Sequence, residues 1–126
     1  MAFLDDLAAK LDSAGVTGGA TGWSALKSFL ANDPDKVICL LETGGNPSEQ
    51  GEIGYDHPTF QALVRGVAFG YAAARTKADA VVSALNDATI SGCTYVFVRH
   101  APLPIGLDAN NRPLISLNFD AMKVRT

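Results

Sequence analysis

The sequence predicts an α+β domain: a largely antiparallel sheet of about four to five strands with two helices packed on one face. Three observations predict it. Two stretches, one at the N-terminus and one after Gly66, place apolar residues at helical spacing. Four runs, Val37–Leu41, Thr59–Arg65, Cys93–His100 and Arg112–Val124, are apolar throughout or alternate with a period of two. The order along the chain is helix, an ambiguous element, strand, strand, helix, strand, strand.

Leu4, Leu7, Ala8 and Leu11 share a helical face, and Asp5 and Asp6 sit where the helix dipole favours negative charge. Gly15 offers a stop after Ala14, so the first helix is expected over residues 2–14. Residues 16–22 read as a loop. Trp23–Ala31 stays open: Trp23, Leu26, Phe29 and Leu30 fit a short helix, while Trp23, Ala25 and Phe29 only partly fit an extended chain. Either ends at Asp33-Pro34, because a residue before proline avoids the α region. Val37–Leu41 is apolar on both faces, as a central strand covered on both sides should be. Thr59–Arg65 sends Phe60, Ala62 and Val64 one way and Gln61, Leu63 and Arg65 the other.

The second helix is expected over Phe69–Asn86. Tyr71, Ala74, Ala78, Val81, Val82 and Leu85 form its buried stripe, with Arg75, Asp79 and Ser83 toward water. Its alanines allow close approach to a sheet. Cys93–His100 is a strand that Pro102 and Pro104 stop. Residues 105–111 read as a loop with turn chemistry at Asp108 and Asn110-Asn111. Arg112–Val124 points Ile115, Leu117, Phe119 and Ala121 inward and Ser116, Asn118 and Asp120 outward. The sheet face away from the helices needs cover, and a partner subunit is one source of it.

A chain of 126 residues, 48% apolar, is long enough for one domain, residues 1–126, with a real core. The net charge of −3 argues against a broad basic nucleic-acid face. Cys39 and Cys93 lie in apolar runs and read as reduced core residues. No run reaches the length of a membrane span, and the amphipathic, acidic Met1–Leu11 does not read as a signal peptide, so the chain is expected in the cytoplasm where it is made. Charge is uneven. Asp33 to Asp56 holds six acids and one base, Lys36, whereas Cys93 to Thr126 holds four bases and two acids. Complementary faces of this kind suit head-to-tail association, against a plain solvated surface as the simpler reading.

No reaction centre assembles. His57 and His100 lie in different elements without metal-ligand spacing, so His57 reads as a turn residue and His100 as structural. Gly15, Gly18, Gly19 and Gly22 match neither a dinucleotide fingerprint nor a P-loop. Thr43-Gly44-Gly45 leaves a strand but runs into Asn46-Pro47 instead of a helix, which fits a strand exit better than an anion site. Asp108–Asn111 lacks the glycine and distal glutamate of a calcium loop. Glu49, Glu52 and Asp56 have no apolar setting to raise a carboxyl pKa. No cofactor, no metal and no catalytic residue is expected. The long polar loop Thr43–Asp56 is the feature that asks for a contact, since loops of such length in small domains are commonly functional.

The run Asn32-Asp-Pro-Asp-Lys-Val-Ile-Cys-Leu-Leu-Glu-Thr-Gly-Gly-Asn-Pro resembles the first half of bacteriophage minor capsid proteins of the tail terminator type. The resemblance continues through Phe60–Gly66, a strand closing on Arg-Gly, and through the alanine-rich Tyr71–Leu85. The Gly-rich entry Ser91–Tyr95, the loop Pro102–Asp108 and the strand containing Asn118-Phe119 follow in order. It covers about residues 30–122. Where members of the family carry Leu-Pro ahead of Asp-Pro-Asp, this chain has Leu30-Ala31-Asn32.

The resemblance implies structural work: a homo-oligomeric ring, expected to be a hexamer, that caps the tail tube protein and offers a docking face to the head–tail connector or stopper protein. DNA passes through its lumen without being read, no membrane is involved, and the site of action is the virion. Expected interface residues are Thr43, Gly44, Gly45, Glu49, Glu52, Tyr55, Asp56, Arg65, Arg99, Asp108 and Arg112. Arg65 is the leading one, expected on an outer face so that its removal leaves melting unchanged. The loop Thr43–Asp56 is expected to be mobile when free and to become ordered on assembly. A head-completion protein of the same junction, or a small enzyme using Glu49, Glu52 or Asp56, are the alternatives.

Overall fold

The structure, a computed structural model, describes residues 2–18, 21–32, 34–43, 55–56, 58–86, 90 and 93–124. The elements are α1 (Ala2–Ser13), β1 (Ser24–Lys27), β2 (Val37–Glu42), β3 (Tyr55–Asp56), β4 (Thr59–Arg65), α2 (Tyr71–Leu85), β5 (Cys93–Val98), β6 (Leu103–Leu107) and β7 (Pro113–Val124).

The sheet is organised around its longest strand. β7 pairs antiparallel with β4 and the two-residue β3 along one side, and with β5 and β6 along the other. β4 pairs antiparallel with β2, and β2 parallel with β1 at the far edge. The sheet is thus α+β in class and mostly antiparallel, as expected, with six strands of four or more residues plus β3, slightly more than the four to five expected.

Both helices pack on one face. The register aligns Ile38, Val64 and Ile115 in one row, and Leu40, Ala62 and Leu117 in the next, all buried. Leu4, Leu7 and Leu11 of α1 and Ala74, Ala78, Val81 and Leu85 of α2 close over these rows. α1 ends in a Schellman turn: Gly15 takes a φ of 76°, its N–H bonds the Asp12 carbonyl, and the Val16 N–H reaches back to Leu11. α2 begins close to the sheet. A Cβ on Gly66 would lie 3.1 Å from the Ala74 Cβ and 3.2 Å from the Gly70 carbonyl, so the small residues at this junction set how near the helix comes.

Four expectations change. The ambiguous Trp23–Ala31 stretch contains β1: too short for a stable helix, it takes backbone partners from β2 instead, and Ser28 at a φ of 67° ends it. Residues 103–107 form a strand, not the first part of a loop; Pro104 is tolerated because β6 lies on an edge. Tyr71 is exposed, not part of the buried stripe of α2. Arg65 and Ser116, assigned outward, are buried.

The last change reflects cover on the second face. The described part of the connection from β1 to β2, residues 28–32 and 34–36, folds back across the half of that face formed by Val37, Cys39 and Arg65. Arg65 bonds three of its carbonyls, and the Phe29 backbone lies against the Cys39 thiol, whose pKa burial pushes up. Part of the cover expected from a partner is therefore supplied within the chain. Cys39 is a free, buried thiol as expected; the Cys93 side chain and His57 lie outside the described residues.

Candidate docking surfaces

Three features stand out from the fold. The first is a clasp of two buried arginines, 2% and 5% exposed, at one end of the sheet. β4 ends at Arg65 and β7 begins just after Arg112, and the two strands pair Arg65 with Leu114, so the side chains converge on the β1–β2 connection. Arg65 Nε donates to the Asp35 carbonyl at 3.0 Å, and its Nη2 to the Pro34 carbonyl at 2.6 Å and the Asn32 carbonyl at 3.3 Å. Arg112 Nη1 donates to the same Asn32 carbonyl at 2.6 Å and to Asp35 Oδ1 at 3.1 Å. Its Nη2 reaches Asn32 Oδ1 at 2.9 Å, and its Nε reaches Asp108 Oδ2 at 2.8 Å. A planar guanidinium fits this set because it fans several donors at fixed angles.

Asp108 holds the clasp from the other side. Its Oδ1 accepts the backbone N–H groups of Asn110 and Arg112, an Asx turn that sets the tight loop before β7. Burial raises the Asp108 carboxyl pKa, but those two N–H groups and the Arg112 guanidinium outweigh it and hold the carboxyl below its ordinary value. A carboxyl lowered by folding adds stability above its unfolded pKa of about 3.9 and loses it as pH falls through the folded value. Asp108→Asn is therefore expected to melt below wild type at neutral pH, with the gap closing as the pH drops below about 4. Thermal melts across that range check it; a gap independent of pH contradicts it.

The second feature is the polar half of the same sheet face. Thr43 and Thr59 share a hydroxyl hydrogen bond at 2.6 Å, and Gln61 Nε2 donates to Ser116 at 2.8 Å. Asn118 Nδ2 lies 2.8 Å from His100 Nε2, and Arg99 pairs with Asp120 at 3.3 Å. This is a half-exposed surface of neutral hydrogen-bonding groups with one exposed ion pair, a pair worth about 1 kcal/mol at most.

The third is apolar. Every residue of β6 is exposed, and Leu103, Ile105 and Leu107 each show about half their surface. Val67 and Phe69, between β4 and α2, and Tyr71, the first residue of α2, are exposed as well, Phe69 by 75%. The Phe69 N–H bonds the Asn111 carbonyl and the Gly66 N–H bonds that of Pro113, the residue paired with Leu107. These side chains therefore stand at one end of the sheet.

Among the described residues, no three His, Cys, Asp or Glu side chains group to hold a metal ion. Among them, too, no helix is long and apolar enough to cross a membrane.

A family profile described as bacteriophage tail terminator protein matches residues 15–125. The chain belongs to this tail terminator family. None of the curated proteins matches it significantly. Among solved structures, a chain of the "Virion of native gene transfer agent (GTA) particle" shares the fold with a TM-score of 0.72 at 17% identity, over 97% of this chain and 94% of that one.

Of the residues the sequence nominated, the fold brings Arg65, Asp108 and Arg112 together in the clasp. Arg65 is not on an outer surface, so its expected lack of effect on melting is replaced by a structural role. Thr43 and Arg99 lie on the polar half of the second sheet face. The backbones of Tyr55 and Asp56 form β3 against Val124 and Lys123. Gly44, Gly45, Glu49 and Glu52 lie outside the described residues, as does most of the loop Thr43–Asp56. Sequence reasoning missed Asn32 and Asp35, which complete the clasp, and it missed β6. A signal for β6 existed in the Leu103-x-Ile105-x-Leu107 alternation. No local signal marks Asn32, because its partner Arg112 is 80 residues away in the chain.

Proposed function

We propose that the chain, as a member of the tail terminator family a structural component of the virion tail, works as a homo-oligomeric ring, a hexamer, that caps the tail tube protein and forms the joint to the head connector, with DNA passing through the lumen unread. The family match over most of the chain carries this reading. The geometry is consistent with it: exposed apolar side chains on β6 and around Phe69, and the polar half of the second sheet face, are surfaces available for docking. The fold shared with a chain of a gene transfer agent virion is consistent with a particle component. In this reading the protein carries out no reaction, and its chemistry is surface matching.

Particles assembled without this chain are expected to have tails of uncontrolled length that fail to join heads. Electron micrographs of such particles, and of purified protein added back, test the proposal. Normal tails joined to heads in its absence overturn it.

A further inference from the structure

The clasp fastens a segment that the core does not hold. Residues 28–32 and 34–36 form a strap across the second sheet face, and no apolar side chain among them is buried. Phe29, the largest, is 72% exposed. The strap is therefore kept in place by hydrogen bonds, not by apolar packing. It supplies acceptors: the carbonyls of Asn32, Pro34 and Asp35 and the side chains of Asn32 and Asp35. The donors are Arg65, at the end of β4, and Arg112, just ahead of β7. Water can satisfy both sets once they part, so separating them costs less than exposing a core strand of equal length.

The ends of the strap are fixed differently from its middle. The Ser24 N–H bonds the Lys36 carbonyl at 3.3 Å and the Ser28 N–H bonds the Leu40 carbonyl at 2.8 Å, which extends the β1–β2 pairing. Ser28, at a φ of 67°, turns the chain off that ladder. A middle held by side chains, between ends held by backbone pairing, can lift while β1 stays in the sheet. Burial beneath it is graded. Val37, Cys39 and Arg65 are buried, whereas Leu63, paired with Cys39, and Leu41 and Gln61, paired in the next row, are half-exposed. The strap thus covers one end of a strip whose other end is already open.

We infer that the strap is a releasable cover: its middle lifts as a unit while the sheet stays folded, uncovering Val37 and Cys39 and freeing both guanidiniums. Lifting joins this strip to the polar half of the face around Gln61 and Asn118, a surface the closed form shows only in part. Segments with few buried apolar contacts open first in a fold, and moving elements are drawn from them.

Cys39 reports the release. Cys93→Ser leaves it the sole thiol, and its reaction with the chromogenic disulfide DTNB at about pH 8 is followed across sub-denaturing urea. The expected result is labelling about a hundredfold or more slower than a free thiol, with a urea slope below half that of global unfolding, because lifting the strap exposes little surface. Arg112→Ala, which breaks the clasp away from Cys39, should speed labelling at least tenfold and keep the low slope. Phe29→Ala, whose ring stands in water, should leave the rate within about twofold. A slope of half the global value or more overturns the release, since Cys39 would then be reached by opening the sheet itself. Labelling as fast as a free thiol overturns it too, since nothing would be covered. An unchanged rate in Arg112→Ala, or an equal acceleration in Phe29→Ala, overturns the clasp as the fastener.

Discussion

Arg112→Ala is expected to lower stability by about 3 kcal/mol, and the melting temperature by roughly 10 °C for a domain of this size. The reason lies in what the side chain leaves behind. Arg112 is buried, and its removal strips the Asn32 carbonyl and side chain, Asp35 and Asp108 of a shared donor group. The cost comes from losing charged hydrogen bonds made by a nearly buried guanidinium and the packing of its stem; the half-exposed Asp35 carboxylate rehydrates, and the Asn32 carbonyl keeps its bond from Arg65. Arg112→Lys should recover less than half of the loss, since an ammonium cannot span four acceptors in a plane. Arg65→Ala should destabilise for the same reason, and the double variant by less than the sum, because both arginines seat the Asn32 carbonyl. Thermal unfolding of the four proteins checks this. Single variants that each melt within about 2 °C of wild type would show that the clasp does not hold the β1–β2 connection.

The clasp also shows where sequence reading succeeds and where it stops. The α+β class, both helices and the strands β2, β4, β5 and β7 were legible because their patterns are local: a leucine stripe in α1, alternation in β4 and β7, a doubly apolar run in β2. The roles of Arg65 and Arg112 were not legible. Alternation placed Arg65 on the face away from the helices, correctly, but whether that face meets water depends on a connection that returns from elsewhere in the chain. The charge asymmetry was real too, yet one of its acids, Asp35, meets one of its bases, Arg112, inside the same molecule at 3.1 Å. Composition cannot tell an intramolecular pairing from an intermolecular one. β6 was lost because prolines read as strand breakers, a rule that holds for central strands and fails at edges.

Phe119→Ala is expected to have the larger effect, about 4 kcal/mol, the usual range for emptying a fully buried phenylalanine site. Phe119 is fully buried and stacks on Phe60 with ring centroids 4.8 Å apart and planes 8° apart, and the two are direct cross-strand partners. Such a ring pair adds about 1 kcal/mol beyond the area it buries. The position matters because Phe119 sits on β7, the strand that holds β3 and β4 on one side and β5 and β6 on the other. It is paired with Val98 as well as Phe60, so a cavity there loosens both flanks of the sheet at once. Phe119→Leu should lose much less, because most of the volume is kept, and Phe60→Leu combined with Phe119→Leu should show a coupling of about 1 kcal/mol from the lost stack. Urea unfolding gives all three values. A single cooperative transition with unchanged slope is expected for every variant, since the surface exposed on unfolding stays the same. A Phe119→Ala loss below about 2 kcal/mol would mean that the two flanks of β7 close independently of the ring stack, and that the sheet is held by its backbone ladders and the clasp.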